Sequence, residues 1–261
     1  MDENGDYDLL QAEELIDHNT FLLSVAHVSN VLGQVQPIKT LSTLAKQFGA
    51  FVLIDGAQAI SHVDVDVEYL NVDFYAFSAH KMFGPTGLGV LFAKAELLNK
   101  MPPLIFGGEM VEKVTRTQTT FAKAPHRFEA GTAPISAVIA LAHAVEFFNL
   151  HTLEQLQDEN LRLVNYAFSK LDNIKNIKYI SPKSSAGIIT FNIKGIHHAD
   201  IAMLLDEQNI ALRAGTFCAQ VLFDYLNETG ALRIAISPYN NKNDIDFFVT
   251  ALNKSIKMLE E

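Results

Sequence analysis

Residues 51–93 read FVLIDGAQAISHVDVDVEYLNVDFYAFSAHKMFGPTGLGVLFA, and this stretch decides the fold. It holds three short apolar runs, at 51–54, 73–77 and 88–92, and polar residues follow the first two. Short, continuous apolar runs bounded by turn residues are typical of strands buried on both faces of a sheet. Ligand sites in such α/β sheets form where the strands end. We therefore predict an α/β fold with a ligand site at the ends of these strands.

The preceding residues extend the same pattern. Residues 21–26 (FLLSVA) predict another buried strand, and residues 37–48 predict a helix, since Pro37 stands at its start and Gly49 follows its end. The alternation of strands with a helix indicates a mainly parallel sheet with helices covering both faces. Residues 102–133 show little periodicity and contain many Pro, Gly and Thr residues, so we predict a long functional loop there.

The second half of the chain predicts a smaller α+β unit. We expect helices at 134–149, 152–172 and 198–207 and from about 242, and strands at 177–180, 187–193, 210–213 and 231–236. A new unit begins within the second of these helices. We therefore predict two domains, 1–150 and 151–261.

Composition excludes several classes of protein. Hydrophobic residues make up 49% and charged residues 19%, which excludes a disordered chain. Lys and Arg number 20 against 30 Asp and Glu, and a net charge of −10 disfavours a nucleic-acid partner. The single cysteine allows no internal disulfide and is typical of a reducing compartment. No export signal or membrane span is visible, so we expect a soluble cytoplasmic protein without a membrane partner.

Two residues at the predicted strand ends suggest covalent chemistry. Lys81 follows the run at 73–77, and a lysine anchored there can lose solvation and form a Schiff base with an aldehyde. Asp55 ends the neighbouring strand, where its carboxylate can supply the counter-charge that a pyridinium nitrogen needs. Taken singly, an exposed lysine at a strand end and a helix-capping aspartate are the alternatives.

Four further residues are candidates for the same site. Ser78 and His80 flank the lysine and could donate hydrogen bonds to a phosphate, or else serve as a turn cap and a packed histidine. Cys218 is either a buried small apolar residue or an exposed reactive thiol. Arg233 lies among apolar residues and needs a carboxylate, which belongs either to the protein or to a substrate. The glycine-rich run 84–89 precedes a strand, so we interpret it as a turn.

Five segments occur in an order that is specific to one family. They are IDGAQAISH (54–62), DFYAFSAHKMFGPTGLGVL (73–91), KAPHRFEAGT (123–132), LRAGTFCAQ (212–220) and LRIAISPYN (232–240). Together they resemble the cysteine desulfurases that depend on pyridoxal 5′-phosphate (PLP) and belong to the class V aminotransferase-like family. The short cysteine loop is similar to that of the Suf/Csd type. The resemblance covers essentially the whole chain.

The resemblance implies a fold, an activity and partners. The fold would be PLP-dependent transferase fold type I, with part of the large domain and a small C-terminal α+β domain. The activity would convert L-cysteine to L-alanine and pass sulfur to an acceptor protein for iron–sulfur cluster assembly, in a homodimer. About the N-terminal third of a family member, with its phosphate-gripping glycine–threonine loop and its ring-stacking histidine, has no counterpart in this sequence. Suf-type enzymes commonly have two histidines where this chain has Thr216 and Phe217.

The resemblance also assigns roles to individual residues, and it predicts no metal site. Lys81 would be the Schiff-base lysine and Cys218 the nucleophile that becomes a persulfide. The remaining residues would bind cofactor or substrate: Asp55 the pyridine nitrogen, Gln58 the phenolic oxygen, Ser78, His80 and a partner subunit's Thr132 the phosphate, and Asn30, Arg213 and Arg233 the substrate carboxylate.

Three alternatives stay open at this point. A selenocysteine lyase or another class V aminotransferase-like PLP enzyme would use the same scaffold. A catalytically inactive fragment is the third, since a fold does not guarantee a function.

Overall fold

The computed structural model describes residues 1, 5–150 and 153–260, in which two sheets are flanked by helices. The strands are β1 (Leu22–Ala26), β2 (Phe51–Asp55), β3 (Phe74–Ser78), β4 (Gly89–Ala93), β5 (Val111–Val114), β6 (Thr119–Phe121), β7 (Ile177–Tyr179), β8 (Ile188–Ile193), β9 (Arg213–Gly215) and β10 (Ala231–Ala235). The helices are α1 (Leu9–Leu15), α2 (Ile38–Gln47), α3 (Val67–Leu70), α4 (Ala95–Leu98), α5 (Ile135–Leu150), α6 (Leu153–Leu171), α7 (His198–Asp206), α8 (Gln220–Tyr225) and α9 (Lys242–Glu260). Short 3-10 helices span Ala59–Ser61, Ala79–Met82 and His126–Phe128.

The first sheet has the order β1-β2-β3-β4. Strands β1, β2 and β3 run parallel, and β4 returns antiparallel beside β3. Ala26 pairs with Asp55, and Asp55 pairs with Ala76, so the carboxyl ends of the three parallel strands meet at one edge. The predicted α/β sheet and its four strands are confirmed, with each boundary shifted by one residue at most.

One buried carboxylate forms several contacts at the opposite end of this sheet, where the parallel strands begin. Asp73 precedes β3 and is almost fully buried. It forms ion pairs with Lys46 of α2 and with Lys94, at 3.0 Å, and it accepts the Val52 amide of β2 at 2.8 Å. Burial alone would raise the pKa of the Asp73 carboxyl, but the hydrogen bonds from Lys46, Val52 and Lys94 outweigh burial and hold the pKa below its ordinary value. Asp73 thus joins a helix and three strands.

The second sheet is antiparallel throughout and has the order β7-β8-β10-β9. Helices α6, α7 and α9 pack together with it around the largest apolar core of the described chain, which includes Leu171, Phe191, Leu205, Leu232 and Leu252. The predicted small α+β unit is therefore present. The domain boundary between residues 150 and 151 stays a prediction.

Two expectations about local structure were wrong. Residues 102–133 are not without secondary structure, because β5 and β6 pair there as an antiparallel hairpin and a 3-10 helix follows them. All four residues of β5 are exposed, so no apolar alternation marks the strand. The strand expected at 210–213 lies instead at Arg213–Gly215. Asn209 takes a left-handed backbone at the end of the preceding turn, and pairing with β10 begins only at Arg213.

The residues that follow β1 connect the two sheets. The Gly33 carbonyl accepts the Ala186 amide at 2.8 Å, and the Val31 carbonyl accepts the hydroxyls of Ser181, at 3.2 Å, and Thr190. Gly33 has a φ of 67°, and a Cβ there would lie 2.8 Å from the Ile188 carbonyl oxygen. Only glycine fits this close approach. We call residues 29–34 the crossing segment.

Helix α5 is apolar over most of its surface yet largely exposed. Ile135, Ile139 and Leu150 are 61%, 57% and 80% exposed, and Ala144 is the buried residue of the helix. Within the described residues, no single helix is long and apolar enough to cross a membrane. Helix α5 and residues 155–171 reach that length and composition only as a pair, across a bend of 82°.

We predict that Asp73→Asn lowers the free energy of unfolding by about 1.5–3 kcal/mol, because it removes the charge from two ion pairs. The stabilising contribution of Asp73 should be complete above its ordinary pKa of 3.8 and be lost as the pH falls through its lower folded-state pKa. Urea denaturation at several pH values measures both effects. The exposed Asp64→Asn is the control, and an equally small change in the two variants would contradict the prediction.

Candidate functional site

The predicted cofactor residues meet at the carboxyl edge of the first sheet. Asp55 is the last residue of β2, and Ser78 is the last residue of β3. The 3-10 helix Ala79–Met82 carries His80 and Lys81, and it contacts the 3-10 helix Ala59–Ser61 that follows Gln58. The parallel register therefore brings these five side chains to one edge, as the sequence predicted.

Most of these side chains form no hydrogen bond or ion pair with the described protein. In the described part of the chain, the side chains of Gln58, Ser78, His80 and Lys81 have no hydrogen-bond or ion-pair partner. One oxygen of Asp55 accepts the Ala57 amide at 2.9 Å within a turn, and the residue that caps the following 3-10 helix is Gln58, so Asp55 is not the helix cap named as its alternative. The second carboxylate oxygen is free for a ligand. The Lys81 amine and the Asp55 carboxylate thus lie at the same edge of the sheet without forming an ion pair with each other.

A buried polar pair lies beneath this edge, and sequence reasoning missed it. The His27 Nδ1 atom and the Tyr75 hydroxyl are 3.0 Å apart. Burial lowers the pKa of His27 to about 4, so the imidazole is neutral at neutral pH, and its tautomer decides whether Nδ1 accepts from the Tyr75 hydroxyl or donates to it. Burial also raises the pKa of Tyr75, and the Asp55 carboxylate adds to this rise. A Cβ at Gly56 would lie 2.0 Å from the Tyr75 ring, so glycine is required where the ring passes under the turn.

A second tyrosine approaches the same carboxylate from the N-terminal side. The Tyr7 hydroxyl accepts the Ala26 amide at the end of β1, at 3.3 Å. Burial raises the pKa of Tyr7, and so does Asp55, against the effect of the Ala26 hydrogen bond. Two partly buried phenols therefore lie near enough to Asp55 for its charge to raise their pKa values. In the sequence, Tyr7 lies between two acidic residues and Tyr75 lies within an apolar run. Neither pattern identifies a tyrosine that lies near a site.

Two arginines lie opposite each other on neighbouring strands of the second sheet. Arg213 of β9 pairs directly with Arg233 of β10. Burial lowers the pKa of the Arg233 guanidinium, and the charge of Arg213 lowers it further. Like charges directly opposite each other destabilise a sheet. Neither arginine has an ion-pair partner among the described residues, so the pair suits an anion from outside the chain.

The crossing segment brings Asn30 to Arg233 and to the cysteine loop. We define the cysteine loop as residues 215–219, between β9 and α8. The Arg233 Nη1 atom donates to the Asn30 carbonyl at 2.7 Å, and the Asn30 Nδ2 atom donates to the Phe217 carbonyl at 2.7 Å. Cys218 is exposed and free. The thiol is therefore accessible, in agreement with the second of its two interpretations.

Thr132 is not brought to this site within one chain. It is exposed in the short connection between the 3-10 helix His126–Phe128 and α5. The structure gives it no contact with Lys81 or with Asp55. Its role at a partner subunit's phosphate site stays a prediction.

Comparisons with known proteins find relatives over nearly the whole chain. The family described as aminotransferase class-V matches residues 1–248. A cysteine desulfurase of Yersinia pseudotuberculosis is 42% identical over 257 residues, which are 98% of this chain and 63% of the relative. A probable cysteine desulfurase of Halalkalibacterium halodurans is 39% identical over 255 residues, 98% of this chain and 63% of the relative.

A solved structure has the same fold. The crystal structure of the Escherichia coli cysteine desulfurase CsdA, in its S-sulfonic acid form, superposes with a TM-score of 0.93 at 37% identity, over 96% of this chain and 63% of that chain. This chain thus spans about three-fifths of the length of the relatives that it matches. Since the family match extends over nearly all of the sequence, the chain belongs to the aminotransferase class-V family.

Proposed function

We propose that the protein is a PLP-dependent cysteine desulfurase that converts L-cysteine to L-alanine and stores the sulfur as a persulfide on Cys218. One observation carries this proposal: Asn30 joins Arg233, which lies opposite Arg213 in the second sheet, to the loop of an exposed thiol. A substrate whose carboxylate occupied the arginines would present its side chain beside Cys218. An amino acid with a sulfur-containing side chain satisfies both groups.

The residues at the first sheet fit PLP. Lys81 would bond the cofactor, Asp55 would face the pyridine nitrogen, and Gln58 the phenolic oxygen. Ser78 and His80 would donate to the phosphate. The fit rests on the free Lys81 amine and the half-free Asp55 carboxylate at one edge of the sheet. When bound, PLP supplies an electron sink for bond cleavage at the substrate Cα atom.

The protein's own groups move the proton and the sulfur. Lys81 would take the proton from Cα and return it later. The Cys218 thiolate would attack the sulfur atom of L-cysteine, so that a sulfur–sulfur bond forms while the Cβ–sulfur bond breaks. The electron pair of the broken bond stays with the substrate carbon, which takes up a proton. One L-cysteine and one Cys218 thiol thus give one L-alanine and one Cys218 persulfide.

The persulfide needs an acceptor and a reducing surrounding. An exposed Cys218 can transfer its outer sulfur to a thiol of an acceptor protein, which would serve iron–sulfur cluster assembly or the synthesis of another sulfur-containing cofactor. A reactive thiol of this kind suits the cytoplasm, where thiols stay reduced. We therefore propose a cytoplasmic enzyme with a protein acceptor.

We propose that the protein is a homodimer. The exposed apolar surface of α5 is of the kind that marks protein–protein interfaces. Thr132 lies three residues before α5, so a partner packed on α5 would receive Thr132 near its own site. The dimer would therefore complete each phosphate site with a hydroxyl from the other subunit.

Cofactor attachment at Lys81 is the first prediction from this function. Borohydride reduction with PLP, followed by peptide mapping, should place the pyridoxyl mass on Lys81. Lys81→Arg keeps the charge but should abolish that label, whereas the exposed Lys100→Arg should label like the parent. Label spread evenly over surface lysines would show that Lys81 has no special role.

The persulfide route is tested at Cys218. With L-cysteine, the parent should release L-alanine and gain the mass of one sulfur atom on the Cys218 peptide. Cys218→Ser should retain PLP but lose both signals, because the serine hydroxyl cannot accept sulfur. A variant that still makes L-alanine at the full rate would exclude the persulfide route and favour another lyase of the family. A parent that binds no PLP would be an inactive fragment.

The dimer is tested by light scattering over a range of protein concentrations. Ile139→Glu should shift the parent from dimer towards monomer, because it places a charge in the middle of the apolar face of α5. Leu10→Glu on α1 is the matched control, since Leu10 is also exposed and apolar. A monodisperse monomeric parent at every concentration would refute the proposal.

A further inference from the structure

The Tyr75 ring packs directly against the turn that carries Asp55. Tyr75 is fully buried in β3, where it pairs with Ile54, the residue before Asp55. A Cβ at Gly56 would lie 2.0 Å from the Tyr75 Cε1 atom and 2.5 Å from its hydroxyl oxygen, and the three nearest atoms all belong to Tyr75. Such distances leave room only for a glycine hydrogen. The position of the turn is therefore limited by this ring.

Hydrogen bonds fix the backbone on the other side of the turn. The Gly56 amide donates to the Ala76 carbonyl at 2.8 Å, and the His27 amide donates to the Asp55 carbonyl at 2.9 Å. The Ala57 amide donates to one Asp55 carboxylate oxygen at 2.9 Å. The carboxylate is thus oriented by the backbone of the two residues that follow it, and that backbone rests on the buried ring.

His27 restrains the ring at its hydroxyl end. The His27 Nδ1 atom lies 3.0 Å from the Tyr75 hydroxyl, and the two rings meet edge-on with their centroids 6.1 Å apart. Both side chains are buried. Because a buried polar group is costly to leave without a partner, this hydrogen bond holds the hydroxyl in one place. The ring is therefore fixed beneath the turn from both ends.

This support is uncharged at neutral pH. Burial lowers the pKa of His27 to about 4, and burial together with the Asp55 carboxylate raises the pKa of Tyr75 above its ordinary value. A charged group at this place would attract or repel the Asp55 carboxylate. A neutral phenol instead leaves the charge of Asp55 available for a ligand.

We propose that Tyr75 is a positioning residue that supports the Asp55 turn and so sets where the Asp55 carboxylate meets the pyridine nitrogen of PLP. This inference rests on the proposed function, because it assigns that nitrogen to Asp55. A carboxylate holds a proton on a pyridine nitrogen only from within hydrogen-bond distance. Tyr75 would act through the backbone of Gly56 rather than by contact with the ligand.

Hydrogen exchange of the Ala57 amide tests the support without cofactor. Tyr75→Phe removes only the hydroxyl, so this amide should exchange about fivefold faster, as for the loss of one buried hydrogen bond. Tyr75→Leu also removes the ring and should raise the rate by at least about tenfold, because it leaves a cavity beneath the turn. Phe191→Leu, which removes a fully buried ring from the second sheet, is the control and should leave the Ala57 rate near that of the parent.

A double variant tests the contact between the ring and residue 56. Gly56 has no left-handed φ, so the ring is the obstacle to a side chain there. Gly56→Ala alone should displace the turn and speed Ala57 exchange. In the Tyr75→Leu background the same substitution should have little further effect, because the space is vacated. If Tyr75 had only a general role in the core, the two effects would add in free energy.

The consequence for the ligand is read with PLP that carries a magnetic nitrogen isotope in its ring. The chemical shift of this nitrogen should show a protonated ring in the parent, in Tyr75→Phe and in Phe191→Leu. In Tyr75→Leu it should move towards the unprotonated value, which Asp55→Asn supplies as the reference. This readout needs no turnover.

Three results overturn the proposal. The first is Ala57 exchange that is no faster in Tyr75→Leu than in Phe191→Leu. The second is unchanged exchange in Tyr75→Phe, which decides the matter if Tyr75→Leu does not fold. The third is a ring nitrogen that stays protonated in Tyr75→Leu. A parent that binds no PLP but shows the expected exchange would refute the proposed function, while the support of the turn by Tyr75 would stand.

Discussion

The hydrogen bonds between the crossing segment and the second sheet are the constraint on which the site depends. The Val31 and Gly33 carbonyls accept from Ser181, Thr190 and Ala186, and these bonds span about 150 residues of sequence. They place Asn30 over β10. The edge that carries Asp55 and the cysteine loop belong to separate sheets, and these bonds hold the two sheets together. The close approach at Gly33 leaves no room for a side chain. The position of Asn30 relative to the second sheet therefore depends on a glycine at this position.

The charge of Asp73 and the charges of the candidate site are paired to different extents. Asp73 is surrounded by two lysines and a backbone amide, and its burial is fully compensated. Asp55, at the other end of the neighbouring strand, has one backbone partner and faces solvent. The arginine pair likewise has no acidic partner among the residues that the structure describes. The partly buried Arg233, which has no ion-pair partner in the described chain, is therefore a candidate for binding a charged ligand.

The first sheet could be predicted from the sequence because each of its strands is an apolar run that ends in polar residues. Residues 51–54 and 73–77 show this pattern, and their carboxyl ends bring Asp55 and Lys81 together by topology alone. The hairpin β5–β6 could not be predicted from the sequence, because its first strand is exposed on both faces. The arginine pair depends on the register of β9 with β10, and the expected strand at 210–213 ends where the real one begins. Phe217 reads as an ordinary apolar loop residue, and its contact with Asn30 joins positions 187 residues apart.

Tyr7 and Tyr75, the two tyrosines whose pKa values respond to Asp55, also contribute to the light that the protein emits. The chain has no tryptophan and seven tyrosines, so its ultraviolet fluorescence comes from phenol rings. Tyr7 and Tyr75 lie against the strand ends where a conjugated cofactor would sit, and a chromophore so close would take up their excitation energy. The intrinsic emission of this protein is therefore an optical gauge of whether the place beside Asp55 is filled, and it requires no added label.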